Sequence, residues 1–235
     1  DVLDWLHREL GTAGLWSHEE TGNLATYARD RQVARWARDA GVTWTQTPQP
    51  GVIRRLQDRD TWTRQRLDRL AVPVLPAPKV LRGTAVDPGP LPVAPDCADM
   101  VWRQEVTETA GRQRMHAFLR TGVTGYEHAL SSPITAEQGC SRLSTHLAVG
   151  TVSAHEVIRR VEAERGRADA RRRASLEAFG ERLAWRDHFM QKLEDEPDVE
   201  RRSYIAEFDE LRADPDEALL ERWTTGRTGF PFVDA

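Results

Sequence analysis

The rhythm of apolar and polar positions changes part-way along this chain. Within residues 1–70, helical stripes and short strand-like stretches take turns. Asp1–Leu10 reads as a helix, and Gly14–His18, after Gly11, as a short strand. Leu24–Ala40 carries Val33, Trp36, Ala37 and Ala40 at helical spacing, with Gly41 placed to close the helix. Val42–Gln46 mixes β-branched and aromatic residues with polar ones and reads as a second strand, and Asp60–Leu70 returns to helix. Such alternation predicts a parallel, doubly wound α/β sheet with crossover helices. Two strands are too few for that sheet, so we expect a truncated remnant preceded by further sequence.

After Met100 the strand signal stops. Val106, Ala110, Met115, Phe118 and Leu119 mark a helix that ends before Gly122. A short helix is expected at Thr145–Val149. Ser153 and Glu156 have capping-box spacing before Val157, Ile158 and Val161. Leu176, Phe179, Leu183, Met190 and Leu193 mark a longer helix, and another starts at Phe232–Ala235. The second half is therefore expected to be an all-α domain, also truncated. Between the halves stand seven of the 13 prolines (Pro73, Pro76, Pro78, Pro88, Pro90, Pro92 and Pro95). Proline lacks a backbone donor and fixes φ, so neither a helix nor a central strand is sustained there. The expected division is an α/β part at 1–71, a connector at 72–99 and a helical part at 100–235.

Composition narrows the function classes. The 235 residues hold 33 basic and 37 acidic side chains, a net charge of −4, which excludes a chain covered by a general DNA-attracting charge while leaving room for a local basic groove. No apolar run reaches membrane-spanning length. Cys97 and Cys140 stand far apart with no CxxC pair, against a disulfide scaffold, a structural zinc site or a four-cysteine cluster. The basic run Arg171–Arg173 reads as a solvated helix start.

Three stretches could carry chemistry. In Gly139-Cys140-Ser141-Arg142-Leu143-Ser144, glycine eases a tight path, the serines offer hydroxyls and Arg142 a fork suited to phosphate, ahead of a short helix. The stretch reads either as a pyrophosphate cradle or as a simple helix cap. Arg182, Trp185, Arg186 and Phe189 share one helical face, turned away from the Leu176–Leu183–Met190 stripe. Like charges at i and i+4 repel unless answered. An anionic ligand with a flat ring would answer them; so would acidic neighbours such as Asp187 and Glu194–Glu196 in a helix packed on two sides. Trp223-Thr224-Thr225-Gly226-Arg227-Thr228-Gly229-Phe230-Pro231 reads as a tight connection before a helix. His188 is read as a packed or surface residue, His146 as a helix-start residue or a ligand contact. Trp5, Trp16, Trp36, Trp44 and Trp62 are read as packing residues.

Trp-x-x-Gly-x-Thr-Gly-x-Pro-x-Val-Asp-Ala at Trp223–Ala235 resembles the signature of the DNA photolyase/cryptochrome family. Ser141-Arg142-Leu143-Ser144-x-x-Leu147-Ala148-x-Gly150-x-x-Ser153 resembles that family's flavin-phosphate segment, and Leu183-x-Trp185-Arg186-Asp187 the helix beside its flavin and substrate cavity. Tyr27-Ala28-Arg29-Asp30 resembles, more loosely, a helix of its N-terminal domain. The resemblance implies an α/β domain, a long connector and a helical domain that binds FAD. It implies light-driven repair of pyrimidine dimers in UV-damaged DNA by an electron from excited reduced FAD; the alternative within the family is a cryptochrome-like blue-light receptor. A helical interaction domain without flavin is a third reading.

Carried across residue by residue, Tyr126 falls at a flavin-contacting tyrosine, and Cys140 (in place of threonine), Ser141, Arg142, Leu143 and Ser144 fall at the phosphate-binding stretch. Phe179 lines the flavin pocket, Arg186 contacts the flavin or its phosphates, and Trp185 stacks on a flipped-out dimer in DNA. Arg182 adds a second cation to the cofactor face, where many photolyases have glutamate; Glu181 is one residue earlier. Leu130 stands where a DNA-contacting arginine is frequent. The resemblance also allows an antenna chromophore of unassigned identity. The remaining expectations are a monomer, no membrane, a cytoplasmic location, no assigned catalytic residue, and weak FAD retention by these 235 residues alone.

Overall fold

A computed structural model describes residues 2–84, 86, 87, 89, 90, 104–212, 214 and 216–234. Cys97 and much of the second half of the proline-rich stretch lie outside the described residues. The chain forms two compact units, Asp1–Thr47 with Lys192–Ala235, and Pro48–Gln191. The described structure is mostly helical, with one small parallel sheet.

In the first unit, α1 (Val2–Leu10), β1 (Gly14–His18), α2 (Leu24–Asp39) and β2 (Thr43–Thr47) follow the predicted order. The strands pair in parallel, from Gly14 opposite Thr43 to His18 opposite Thr47. The Asn23 side chain caps α2 by accepting from Thr26 N at 3.0 Å, and Gly41 takes φ +67° beyond its end, the left-handed conformation that glycine adopts without a Cβ clash. Trp36 Nε1 donates to Asp4 at 2.6 Å and joins α2 to α1. The packing expectation fails for Trp16, which is 72% exposed, and largely for Trp5. Two strands offer too little neighbouring surface among the described residues to cover an indole.

The first unit also contains α10 (Glu217–Thr224) and α11 (Pro231–Asp234), joined by the signature loop. Gly226 and Gly229 have φ of +63° and +85°. Asp234 closes the loop by accepting from Thr228 N (2.8 Å), Thr228 Oγ1 (2.6 Å) and Gly229 N (2.9 Å). The Thr228 hydroxyl is the main cause that holds its carboxyl below the usual range; desolvation opposes it, and both amides and Arg222 add lesser effects in the hydroxyl's direction. A carboxylate with a depressed folded pKa stabilises the fold fully above its unfolded value, about 3.9, and loses that contribution as pH falls through the folded value. Faster exchange of the Thr228 and Gly229 amides is therefore expected below that pH. In Asp234→Asn the acid-dependent change should disappear.

The second unit is built from α3 (Trp62–Ala71), α4 (Glu108–Ala117), α5 (Tyr126–Ala129), α6 (Pro133–Gly139), α7 (Ser144–Val149), α8 (Ala154–Arg165) and most of α9 (Ala170–Asp195). Thus α3, read from sequence with the α/β part, packs with the helical unit, where His155 lies 3.0 Å from the Leu70 carbonyl. The predicted helix through Leu119 does not run as one α-helix. After Ala117 it widens into a π turn, Phe118–Gly122, closed by Val123 N to Phe118 O at 2.8 Å. Arg172 donates to the Leu119 and Arg120 carbonyls and pairs with Glu164 at 3.2 Å, so the middle of the basic run also supports the turn. Met115, Leu143, Val157, Val161 and Leu176 are almost fully buried and form the core with Phe118, Tyr126, Phe179 and Leu183.

Candidate functional site

Helix α9 is rich in Ala, Leu, Glu and Arg, all good helix formers, and the Asp169 carboxylate caps its start by accepting from Arg172 N at 2.8 Å. Its faces divide as the sequence predicts. Leu176, Phe179 and Leu183 enter the core, while Arg182, Trp185 (56% exposed) and Phe189 (57% exposed) face outward. The Arg182 guanidinium lies 5.1 Å from the centre of the Trp185 ring, and Trp185 meets Phe189 edge to face at 6.1 Å. This is an aromatic surface with a cation on it, able to stack a planar ligand and attract an anion.

Behind this surface, Tyr126 and Phe179 sit with ring centres 5.5 Å apart, and Phe118 touches both, at 5.7 and 4.8 Å. Burial pushes the Tyr126 phenol up, Cys140 adds to the rise and Arg182 opposes it. Tyr126, Cys140, Phe179, Arg182 and Trp185 are thus brought to one region. A cleft of about 240 Å³ lined by Glu127, Leu130, Ser131, Glu181, Arg182 and Trp185 opens there. Leu130 packs against the core, and Glu181 shares the cleft with Arg182 without replacing it.

The predicted cradle is only partly turned toward this region. Arg142 has φ +56°, a left-handed conformation uncommon for a residue with a side chain. Its carbonyl accepts from Gln104 at 2.8 Å, and its guanidinium lies 3.6 Å from Glu137. It lines a different cavity, about 890 Å³, with Arg114, Gln113 and the buried His146. Leu143 is buried in the core, the Ser141 hydroxyl is 3.4 Å from Leu143 N, and Ser144 is exposed. His146 stands at the helix start, as the third residue of α7, and is buried there, with Nδ1 2.9 Å from the Thr151 hydroxyl.

Arg186 links the two stretches. It is one-third exposed, with Nη2 3.4 Å from the Leu147 carbonyl of α7 and Nη1 3.2 Å from Asp187 Oδ1. Sequence reasoning named Asp187 among the neighbours that could answer the arginines, and here it does so. Glu194 instead takes the Tyr27 hydroxyl. Sequence reasoning missed Arg66, whose Nε and Nη2 both lie 2.8 Å from Asp187 Oδ2. Nothing in a stretch so far from α9 signals that pairing. His188 is packed as expected, edge to face with Trp62 at 5.9 Å.

The chain thus combines a small parallel α/β sheet with a mostly helical remainder whose long helix presents arginines and aromatics on one face. Residues 179–235 match the family model for the FAD binding domain of DNA photolyase. The chain is 31% identical over 244 residues to the deoxyribodipyrimidine photo-lyase of Halobacterium salinarum, covering 95% of this chain and 50% of that protein. Its fold is similar to a bacterial class III photolyase from Agrobacterium tumefaciens (TM-score 0.73, 23% identity, 99% of this chain and 51% of the other). A Synechocystis cryptochrome gives a TM-score of 0.72 at 18% identity, over 99% of this chain and 52% of the other. The chain belongs to the photolyase/cryptochrome family and spans about half the length of these relatives.

Proposed function

We propose that the chain forms part of an FAD-dependent, light-driven deoxyribodipyrimidine photo-lyase that repairs pyrimidine dimers in UV-damaged DNA. The observation that carries this reading is the face of α9 on which Arg182, Trp185 and Phe189 stand open, beside Arg186 and the end of α7. The match of this segment to the FAD binding domain of DNA photolyase supports it. The donor set fits FAD: Arg186 offers a cation with unfilled N–H donors to a pyrophosphate, and the cleft at Arg182 offers flat surfaces to rings. Tyr126, Cys140 and Phe179 would back the flavin, with Ser141, Arg142, Leu143 and Ser144 forming the loop next to it. Bound and reduced, FAD would supply light-driven electron-transfer chemistry for opening a cyclobutane dimer. The side chains hold the cofactor and present the flipped-out dimer against Trp185.

Trp185→Ala is expected to weaken binding of dimer-containing DNA by about 1–3 kcal/mol, the usual worth of base stacking on an aromatic. It should change unfolding by only about 0.5 kcal/mol, because the ring is exposed. Fluorescence anisotropy with a dimer-containing oligonucleotide checks the first value and urea titration the second.

The family's other activity, blue-light reception through the same FAD, is favoured by one contact. Arg182 lies over the ring of Trp185, on a surface that a flipped dimer would need. Repair decides between them. The reduced protein at its full native length is illuminated with blue light on a dimer-containing oligonucleotide, and restored thymines are followed by chromatography beside a dark control. Light-dependent restoration supports the lyase. Bound flavin without restoration of either cyclobutane or (6-4) lesions makes the receptor the better reading.

A further inference from the structure

Arg186 is held by a carboxylate that is itself shared. The Asp187 side chain is 4% exposed, and one oxygen, Oδ2, takes both Nε and Nη2 of Arg66, itself only 9% exposed. The other oxygen, Oδ1, accepts the single bond from Arg186 Nη1 at 3.2 Å. Consecutive residues on a helix point about 100° apart and do not ordinarily face each other. The contact forms here with the Asp187 carboxylate turned inward by Arg66, into space that only a glycine at position 51 leaves open. A Cβ at Gly51 would collide with the Asp187 side chain.

The charges in this group are two guanidinium ions and one carboxylate, which leaves a net positive charge on the outer, half-open Arg186. A free carboxylate would form the parallel two-bond pair with Arg186 and occupy its fork. Arg66 prevents this by saturating one oxygen. Arg186 is then fixed at Nη1 by Asp187 and at Nη2 by Leu147 O, and its other donors stay available.

We propose that Asp187 is a positioning residue: held by Arg66, it orients the Arg186 guanidinium toward the phosphates of a flavin nucleotide. The proposal rests on the flavin reading of this face.

The test measures the affinity of the protein at full native length for FAD and for riboflavin, which lacks phosphate, together with its melting temperature. Asp187→Asn should weaken FAD about ten- to hundredfold, the worth of a hydrogen bond to a charged group. Riboflavin affinity should stay unchanged. The direction discriminates, because removing a negative charge beside Arg186 would tighten anion binding if Asp187 acted through its charge alone. Asp187→Glu keeps the charge and shifts the carboxylate by one methylene; it should lower the FAD-to-riboflavin ratio in a protein that folds even where Asp187→Asn does not. An unchanged or raised ratio in these variants overturns the positioning role. Arg186→Met separates the two levels. If it leaves the ratio unchanged, the phosphate reading itself fails; if it lowers the ratio while the Asp187 variants do not, only the positioning proposal fails.

Discussion

Arg66→Met is expected to lower the unfolding free energy by about 3–5 kcal/mol, the cost of breaking a buried ion pair from one side. Two of the guanidinium's donors meet one Asp187 oxygen at 2.8 Å, with both side chains almost wholly removed from water. The variant leaves that oxygen buried and unpaired. The Arg186 contact to the other oxygen offsets part of the loss, so the lower end of the range is expected. In Arg66→Met/Asp187→Leu no buried charge is left over, and most of the stability should return. Urea unfolding of the single and double variants checks this. A loss below about 1 kcal/mol for Arg66→Met would place the pair in the range of exposed ion pairs and contradict its burial.

Phe179→Ala should cost about 3–5 kcal/mol, the range for emptying a buried aromatic site. Phe179 is 3% exposed and contacts two other rings, so its removal opens a cavity and strips edge-to-face partners from Phe118 and Tyr126 together. Phe179→Leu fills most of the volume and should cost less than half as much. The pair of variants also bears on the cofactor. Loss of flavin in the alanine variant alone would reflect a collapsed core, whereas loss in a stable Phe179→Leu protein would support direct contact. Thermal unfolding and flavin fluorescence on the same samples read both effects.

Much of the helix and strand pattern was legible in the sequence because it depends on local periodicity. The two strands, α2 with its Gly41 stop, the Ser153 cap of α8 and the two faces of α9 all follow from spacing within one or two turns. The π turn at Phe118–Gly122 was not legible, because the wide turn is met from outside by Arg172, which answers its carbonyls. The exposure of Trp16 was not legible either; an indole in a strand looks like packing until the small sheet around it is seen.

The candidate site was legible to the same local depth. Arg182, Trp185 and Phe189 do form an open face, and Tyr126 meets Phe179. The side-chain direction of Arg142 could not be read, because its left-handed backbone carries it to Glu137 and a separate cavity. The Arg66–Asp187–Arg186 group was hidden for a different reason. It joins α3 to α9 across a long stretch of chain, and no spacing rule connects residues that only the tertiary fold brings together.

Binding of FAD by the α7–α9 region is read from the flavin content of the protein. The protein is purified at its full native length, its absorbance spectrum is recorded, and the flavin released on denaturation is identified by chromatography, before and after incubation with added FAD. FAD is expected in near-stoichiometric amount, and in a smaller amount in Arg186→Met. A folded, colourless protein that takes up no flavin from excess FAD would contradict it.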